Sequence, residues 1–271
     1  MYNDYYGMTR NTFDKQQCTE EDFFPCRDIK ETSARLKYLI RTRGIGVITA
    51  RPGLGKSYGV RCFAKGLNEN LYHVEYMCLS TINVMDFYKG LCRILGISEK
   101  GGKTSMFRSL QEQIWYMYKE KSQPLILVID EAQYLCTDVL NDIKLLMNQK
   151  YDSLNCFTLI LCGETYLHDT LRKPVHEALD QRVAVRYNYK GLADDEVGEY
   201  IRHKIIRGGG SREIISESAI NAIHGYVHGN PRLIDNLMTD ALNIGDQMQK
   251  KVIDEEVIMA AAANQNPFME D

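Results

Sequence analysis

Eight cysteines are scattered over 271 residues without one Cys-x-x-Cys pair, and none has a histidine nearby at zinc-finger spacing. That absence argues against the common zinc ribbons and redox dithiols, and leaves the thiols as reduced, mostly buried small hydrophobes. No apolar run reaches the ~18–20 residues that a membrane-crossing helix requires. The opening Met1-Tyr2-Asn3-Asp4-Tyr5-Tyr6 also lacks the basic and apolar regions of a signal peptide. A cytoplasmic protein with no membrane partner is the expectation. A formal charge of −3 gives no bulk attraction for nucleic acid, so any such contact must come from a local patch or an assembled surface. There is no internal repeat and no low-complexity segment, and 44% hydrophobic content is ample for a buried core.

What is present is a phosphate-binding loop with one substitution. Ala50-Arg51-Pro52-Gly53-Leu54-Gly55-Lys56-Ser57 departs from G-x-x-x-x-G-K-[ST] only at Ala50. Ile45–Thr49 reads as a buried strand before it, and Tyr58–Leu67 as a helix after it, the context that the motif needs. The loop from Pro52 to Tyr58, at the positive end of a helix, can hold a triphosphate on the backbone N–H groups that follow Pro52, with Gly53 and Gly55 curling the chain. Lys56 reaches the β and γ phosphates and Ser57 ligates magnesium. Alanine at position 50 is harmless if its φ is negative and costs ~1–2 kcal/mol if φ must be positive. ATP and Mg2+ are the expected cofactors.

Further strands are expected at Leu71–Leu79, Leu125–Ile129, Phe157–Cys162 and Val183–Tyr189, separated by helices at Val84–Leu95, Thr104–Tyr118 and Val139–Gln149. Strands alternating with helices predict an α/β fold, with a mostly parallel five-stranded sheet flanked by helices over residues 1–192. Residues 193–263 read as a small α-helical lid, with helices at Asp194–Ile206, Ser216–Val227, Pro231–Gly245 and Asp254–Ala263. Residues 264–271 read as a polar tail. Gly208-Gly209-Gly210 and Gly229-Asn230-Pro231 punctuate the lid. The apolar strand ending in Asp130-Glu131 supplies two acids whose side chains point opposite ways, so their roles differ. Asp130 is placed to hold magnesium, and Glu131 to polarise the water that attacks the γ-phosphate.

The order of phosphate loop, Asp-Glu strand, a later strand ending at Cys162-Gly163-Glu164, and a lid with Gly229-Asn230-Pro231-Arg232 resembles AAA+ ATPases of the P-loop NTPase class. It resembles most the ExeA-like branch, related to the transposition ATPases of the MuB, TnsC and IstB kind. Tyr5-Tyr6-Gly7-Met8 with Phe13, Arg43 to Val47, Leu79-Ser80-Thr81 with Asp86-Phe87-Tyr88, Asp130 to Gln133, Asp180 to Val183 and Gly229 to Leu237 carry the likeness.

The resemblance implies that Glu164 takes the position that senses the γ-phosphate, where the ExeA-like pattern more often has Gln. A carboxylate beside a triphosphate is unfavourable unless protonated, turned to magnesium or paired with a cation. It implies that Arg232 is a second sensor contacting the nucleotide, as suits a permanently charged, bidentate guanidinium. It implies that Arg182 is an arginine finger reaching a neighbouring subunit's nucleotide, ahead of the weaker candidates Arg172 and Arg186, so that the chain works as a homo-oligomeric ring or helical filament. A plain salt bridge is the alternative for Arg182. The implied function is an ATP-dependent regulator of DNA transposition that assembles on double-stranded DNA and recruits or activates a DDE transposase. The alternatives are an ExeA-like secretion-associated ATPase and a replication initiator or loader. Candidate DNA contacts are Lys100, Lys103 and Arg108 around the Gly101-Gly102 loop, with solvated loop charge the competing reading.

Overall fold

The computed structural model describes residues 2–14, 22–78, 83–148 and 154–265, and divides into two compact units. The expected ends of a strand at Leu79 and of a helix at Gln149, the segment Leu79-Ser80-Thr81 and most of the polar tail lie outside the described residues.

The first unit, residues 31–52 and 56–189, is an α/β sandwich. Its strands are β1 (Ile45–Thr49), β2 (His73–Cys78), β3 (Leu125–Asp130), β4 (Thr158–Gly163) and β5 (Val183–Asn188), in the order β2-β3-β4-β1-β5 with every pair parallel. The three central strands are buried along their whole length, which is why they read as unbroken apolar runs: helices cover both faces of a parallel sheet. The edge strands β2 and β5 are only partly covered, so polar residues intrude. On one face, α4 (Val84–Ile94), α5 (Lys103–Lys119) and α6 (Thr137–Met147) bury Phe87, Tyr88, Leu110, Ile114, Val139 and Ile143 against Leu125, Leu127 and Leu159. Leu127 is matched with Leu159 and Thr49 with Gly163 in the register, which brings the carboxyl ends of β1, β3 and β4 to one edge of the sheet.

A helix absent from the sequence expectations, α2 (Arg27–Thr42), precedes β1. It buries Thr32, Leu36, Leu39 and Ile40 and carries Asp28 in its first turn and Arg41 in its last, each complementing the helix dipole. Helix α3 (Lys56–Lys65) starts two residues before the expected Tyr58, directly on the lysine of the phosphate loop.

The second unit gathers residues 2–30, 53–55 and 190–265 of the described chain. Its helices are α1 (Tyr2–Tyr6), α9 (Asp194–Arg207), α10 (Glu217–Val227), α11 (Pro231–Gln247) and α12 (Glu255–Gln265), with the short α7 (Leu167–Leu171) and α8 (Glu177–Asp180) belonging to the first unit. From sequence the N-terminal segment is attached to the sheet; in the structure Tyr2, Tyr6, Met8 and Phe13 share a core with Ile201, Ile205, Leu237 and Ile258. The Tyr6 hydroxyl donates to the Lys250 carbonyl at 2.8 Å, and the Thr9 N–H to the Gly208 carbonyl at 2.7 Å. The glycine run is therefore a packing seat. A β-carbon on Gly208 would lie 2.6 Å from the Met8 methyl, and one on Gly210 would lie 3.1 Å from Met8 Cγ.

Beneath Thr12 and Phe13 lies a buried ion pair. Lys204 Nζ donates to both oxygens of Asp235 at 2.7 Å, and the Tyr200 hydroxyl adds a bond to Oδ1 at 2.8 Å. Burial pushes the Asp235 carboxyl above its ordinary value, against the pull of Lys204. The pair is tolerated because each ion faces the other, the Tyr200 hydroxyl adds a bond to the carboxylate, and the ammonium lies over the Phe13 and Tyr200 rings.

Candidate nucleotide site

Ala50 closes β1 at 3% exposure, and its N–H donates to the Gly163 carbonyl at 3.1 Å, extending the sheet by one rung. It is not among the non-glycine residues with positive φ, so the substitution at the head of the motif strains nothing. Gly53 and Gly55 do sit in the left-handed region, at φ 86° and 87°, where a side chain costs ~1–2 kcal/mol. Within the helical unit Gly53 is also tightly overlaid: a β-carbon there would lie 2.5 Å from Asn230 Oδ1 and 3.1 Å from Arg232 Cβ. The tip of the phosphate loop and the start of α11 are thus immediate neighbours, made possible by the missing side chain.

Lys56, buried at the first turn of α3, donates from Nζ to Asp130 Oδ1 at 2.9 Å and stands 3.9 Å from Glu131 Oε1. Asp130 accepts further bonds from the Tyr76 hydroxyl at 2.6 Å and from Ser57. Burial pushes its carboxyl up, but the bonds from Ser57, Tyr76 and Lys56 more than offset this and hold it below its ordinary value, ionised throughout the neutral range. Tyr76 has no sequence motif to announce it. It is visible only once β2 is laid beside β3 with Cys78 opposite Asp130, which puts the Tyr76 ring on the strand next to the acid. Burial and the Asp130 bond both raise the phenol's pKa, so it remains a donor.

Glu131 follows at φ 55°, ψ 35°, a left-handed conformation for a residue with a full side chain. Its side chain is 39% exposed against 4% for Asp130, yet both carboxylates flank the Lys56 ammonium rather than pointing opposite ways as expected, because Glu131 lies one residue past the end of β3, where strand alternation no longer applies. Its Oε2 accepts from Gln133 Nε2 at 2.6 Å. Glu164 is half-buried at the end of β4, and its N–H donates to Gln133 Oε1 at 3.1 Å. The donor set fits a magnesium nucleotide: a turn of glycines with φ positive at a helix N-terminus, a buried lysine, and a hydroxyl beside an ionised carboxylate, both hard oxygen ligands. Ser57 and Asp130 would hold the ion, which would supply charge neutralisation at the phosphates.

The other expected residues are placed as follows. Arg232 is exposed at the second position of α11, where its N–H is capped by Asn230 Oδ1 at 3.0 Å. Half-buried Arg182 precedes the edge strand β5. Arg186 is committed within the chain, donating to Asp180 Oδ1 at 2.6 Å, while Arg172 is exposed at the end of α7. The three candidate DNA cations are not three equivalent loop charges. Lys100 is exposed, but Lys103 opens α5 and pairs at 2.7 Å with buried Asp142, and Arg108 lies on the same helix 3.8 Å from Glu112. The loop reading fails for Lys103 because a buried carboxylate needs a counter-ion more than solvent needs a lysine.

Residues 40–171, which span the phosphate loop, the Asp-Glu strand and Glu164, match the family model described as AAA domain. This segment, just under half of the chain, is similar to an AAA domain. The strand order, with β4 inserted between the phosphate-loop strand and the Asp-Glu strand, and the helical region that follows give it the fold of the AAA+ P-loop ATPases. A curated relative, General secretion pathway protein A of Aeromonas hydrophila, is 26% identical over 243 residues. The match covers 89% of this chain and 44% of that protein, so the chain spans less than half of the relative's length. Among solved structures, Cdc6p from Pyrobaculum aerophilum superposes with a TM-score of 0.69 at 16% identity, covering 94% of this chain and 71% of that one. Drosophila ORC bound to DNA gives 0.65 at 19% identity, covering 90% and 62%. Among the described residues, no helix is long and apolar enough to cross a membrane.

Proposed function

We propose that the chain is an ExeA-like AAA+ ATPase that binds MgATP in the loop Pro52–Tyr58, hydrolyses it with Glu131, and does so as a homo-oligomer in which Arg182 serves the neighbouring subunit's nucleotide. The observation that carries the proposal is the buried pair of Lys56 and Asp130, with Ser57 next to the lysine and Glu131 next to the acid, directly after a loop bent by two left-handed glycines. Arg232, beside the loop tip, serves as the sensor through which α11 follows the nucleotide state. Glu164 at the end of β4 serves as the γ-phosphate sensor, its carboxylate tempering turnover.

The sequence relation to General secretion pathway protein A supports a secretion-associated ATPase, and the fold shared with Cdc6p and ORC supports an initiator-type one. Both are better supported than the transposition regulator with a DDE transposase partner, which rests on the sequence resemblance alone. Double-stranded DNA is kept as a second reading because one structural neighbour is an ORC bound to DNA. A slightly acidic chain can bind DNA only through a repeated local cluster, and with Lys103 held by Asp142 that cluster would draw on Lys100 and Arg108.

Mass measurement with a slowly hydrolysed ATP analogue, with and without duplex DNA, tests the proposal. Discrete multimers or filaments formed only with nucleotide are expected, and DNA either lengthens them or leaves them unchanged, which separates the two readings. Monomers under every condition would overturn the assembly.

A further inference from the structure

Gln133 is a carboxamide buried to 8% exposure in the short turn Ala132–Tyr134 that follows the Asp-Glu pair. Both ends of the side chain are used. Nε2 donates to Glu131 Oε2 at 2.6 Å, and Oε1 accepts the Glu164 N–H at 3.1 Å. One side chain therefore ties the carboxylate expected to orient water to the end of the strand expected to sense the γ-phosphate. The residue between them is shaped for this bridge. A β-carbon on Gly163 would lie 2.6 Å from Gln133 Oε1 and 3.0 Å from Leu167 Cδ2, so a side chain at 163 would push the carboxamide out of place. Glu131 pays for its left-handed backbone, and a strained residue persists where its surroundings over-determine it. The charged and titratable groups facing Glu131 are Lys56 on α3, Asp130 on β3, Cys78 on β2, Cys162 on β4 and Tyr166 beyond β4. Lys56, at 3.9 Å, is too distant for a hydrogen bond, whereas Gln133 makes a short one.

We propose that Gln133 is a positioning residue that fixes the Glu131 carboxylate relative to the end of β4. A shift of that strand end with the presence or loss of the γ-phosphate is passed through the carboxamide to the carboxylate. The proposal rests on the ATPase reading and adds to it the part that couples sensing to water activation.

The test compares kcat, KM, nucleotide affinity and thermal unfolding of the full chain with those of Gln133→Leu, Gln133→Glu and Gly163→Ala. Gln133→Leu keeps the volume and loses both bonds. It is expected to lower kcat about 10- to 100-fold, the scale seen when a partner that orients a functional ligand is removed, with MgATP affinity within about threefold of wild type. Gly163→Ala is expected to lower kcat in the same direction without altering Gln133 itself. Gln133→Glu sets two carboxylates against each other. It is expected to lower kcat as far as Gln133→Leu does, again with MgATP affinity near that of wild type. A role in packing alone would lower thermal stability without this split between kcat and affinity. Wild-type kcat in Gln133→Leu, or a loss of MgATP affinity as large as the loss of kcat, would overturn the proposal while leaving the ATPase reading intact. Absence of turnover in the wild type would overturn both.

Discussion

Arg182→Ala is expected to lower ATP turnover about 10³-fold or more while leaving the affinity for MgATP within a few-fold of wild type, the scale of a supplied arginine finger. The residue is half-buried and immediately precedes β5, an edge strand of the sheet. Developing charge on a transferring phosphoryl group is stabilised by a fixed cation in a water-excluded site, and a finger from a second subunit makes that stabilisation conditional on assembly. Two controls separate this role from structure. Arg186→Ala removes a guanidinium held by Asp180 within the same chain, so it should lower thermal stability without a selective loss of kcat. Mixing Arg182→Ala chains into wild type should depress turnover more steeply than dilution, because each altered subunit disables its neighbour's site. Unchanged turnover in Arg182→Ala would return the residue to the salt-bridge reading.

Glu131→Gln is expected to abolish hydrolysis, by about 10²- to 10⁴-fold, and to retain bound ATP. The amide keeps the shape and can still accept from Gln133 through its oxygen, so the turn after β3 should hold. What it loses is the negative charge that polarises water. Asp130 differs: its carboxylate is ionised and anchors Lys56, Ser57 and Tyr76, so changing it should impair nucleotide binding itself. Single-turnover hydrolysis and retention of radiolabelled ATP on a filter distinguish the two. Retained hydrolysis in Glu131→Gln would reassign water activation to another group.

Much of this site is legible in the sequence because its parts are local. The loop from Ala50 to Ser57 and the Asp130-Glu131 pair are contiguous motifs, and β1, β3 and β4 announce themselves as apolar runs since both their faces are buried. Edge position makes β2 harder: His73 and Glu75 interrupt it, and it begins two residues after the expected Leu71. Helix Arg27–Thr42 is hidden because Thr32 and Ser33 break a sparse apolar stripe whose anchors are Leu36, Leu39 and Ile40. Tyr76 and Gln133 could not be assigned roles from spacing, since each acts across a strand pairing or a turn. The N-terminal segment packs with residues some 200 positions away, a contact that no local pattern encodes. Ala50, a departure on paper, sits at ordinary backbone geometry and costs nothing.

The most direct measurement is steady-state phosphate release from ATP by the purified wild-type chain, with magnesium and with the metal chelated, beside Lys56→Ala. Magnesium-dependent release that vanishes on chelation and in Lys56→Ala is the expected result. Release that persists in Lys56→Ala, or none at any protein concentration with or without DNA, would contradict an ATPase at this loop.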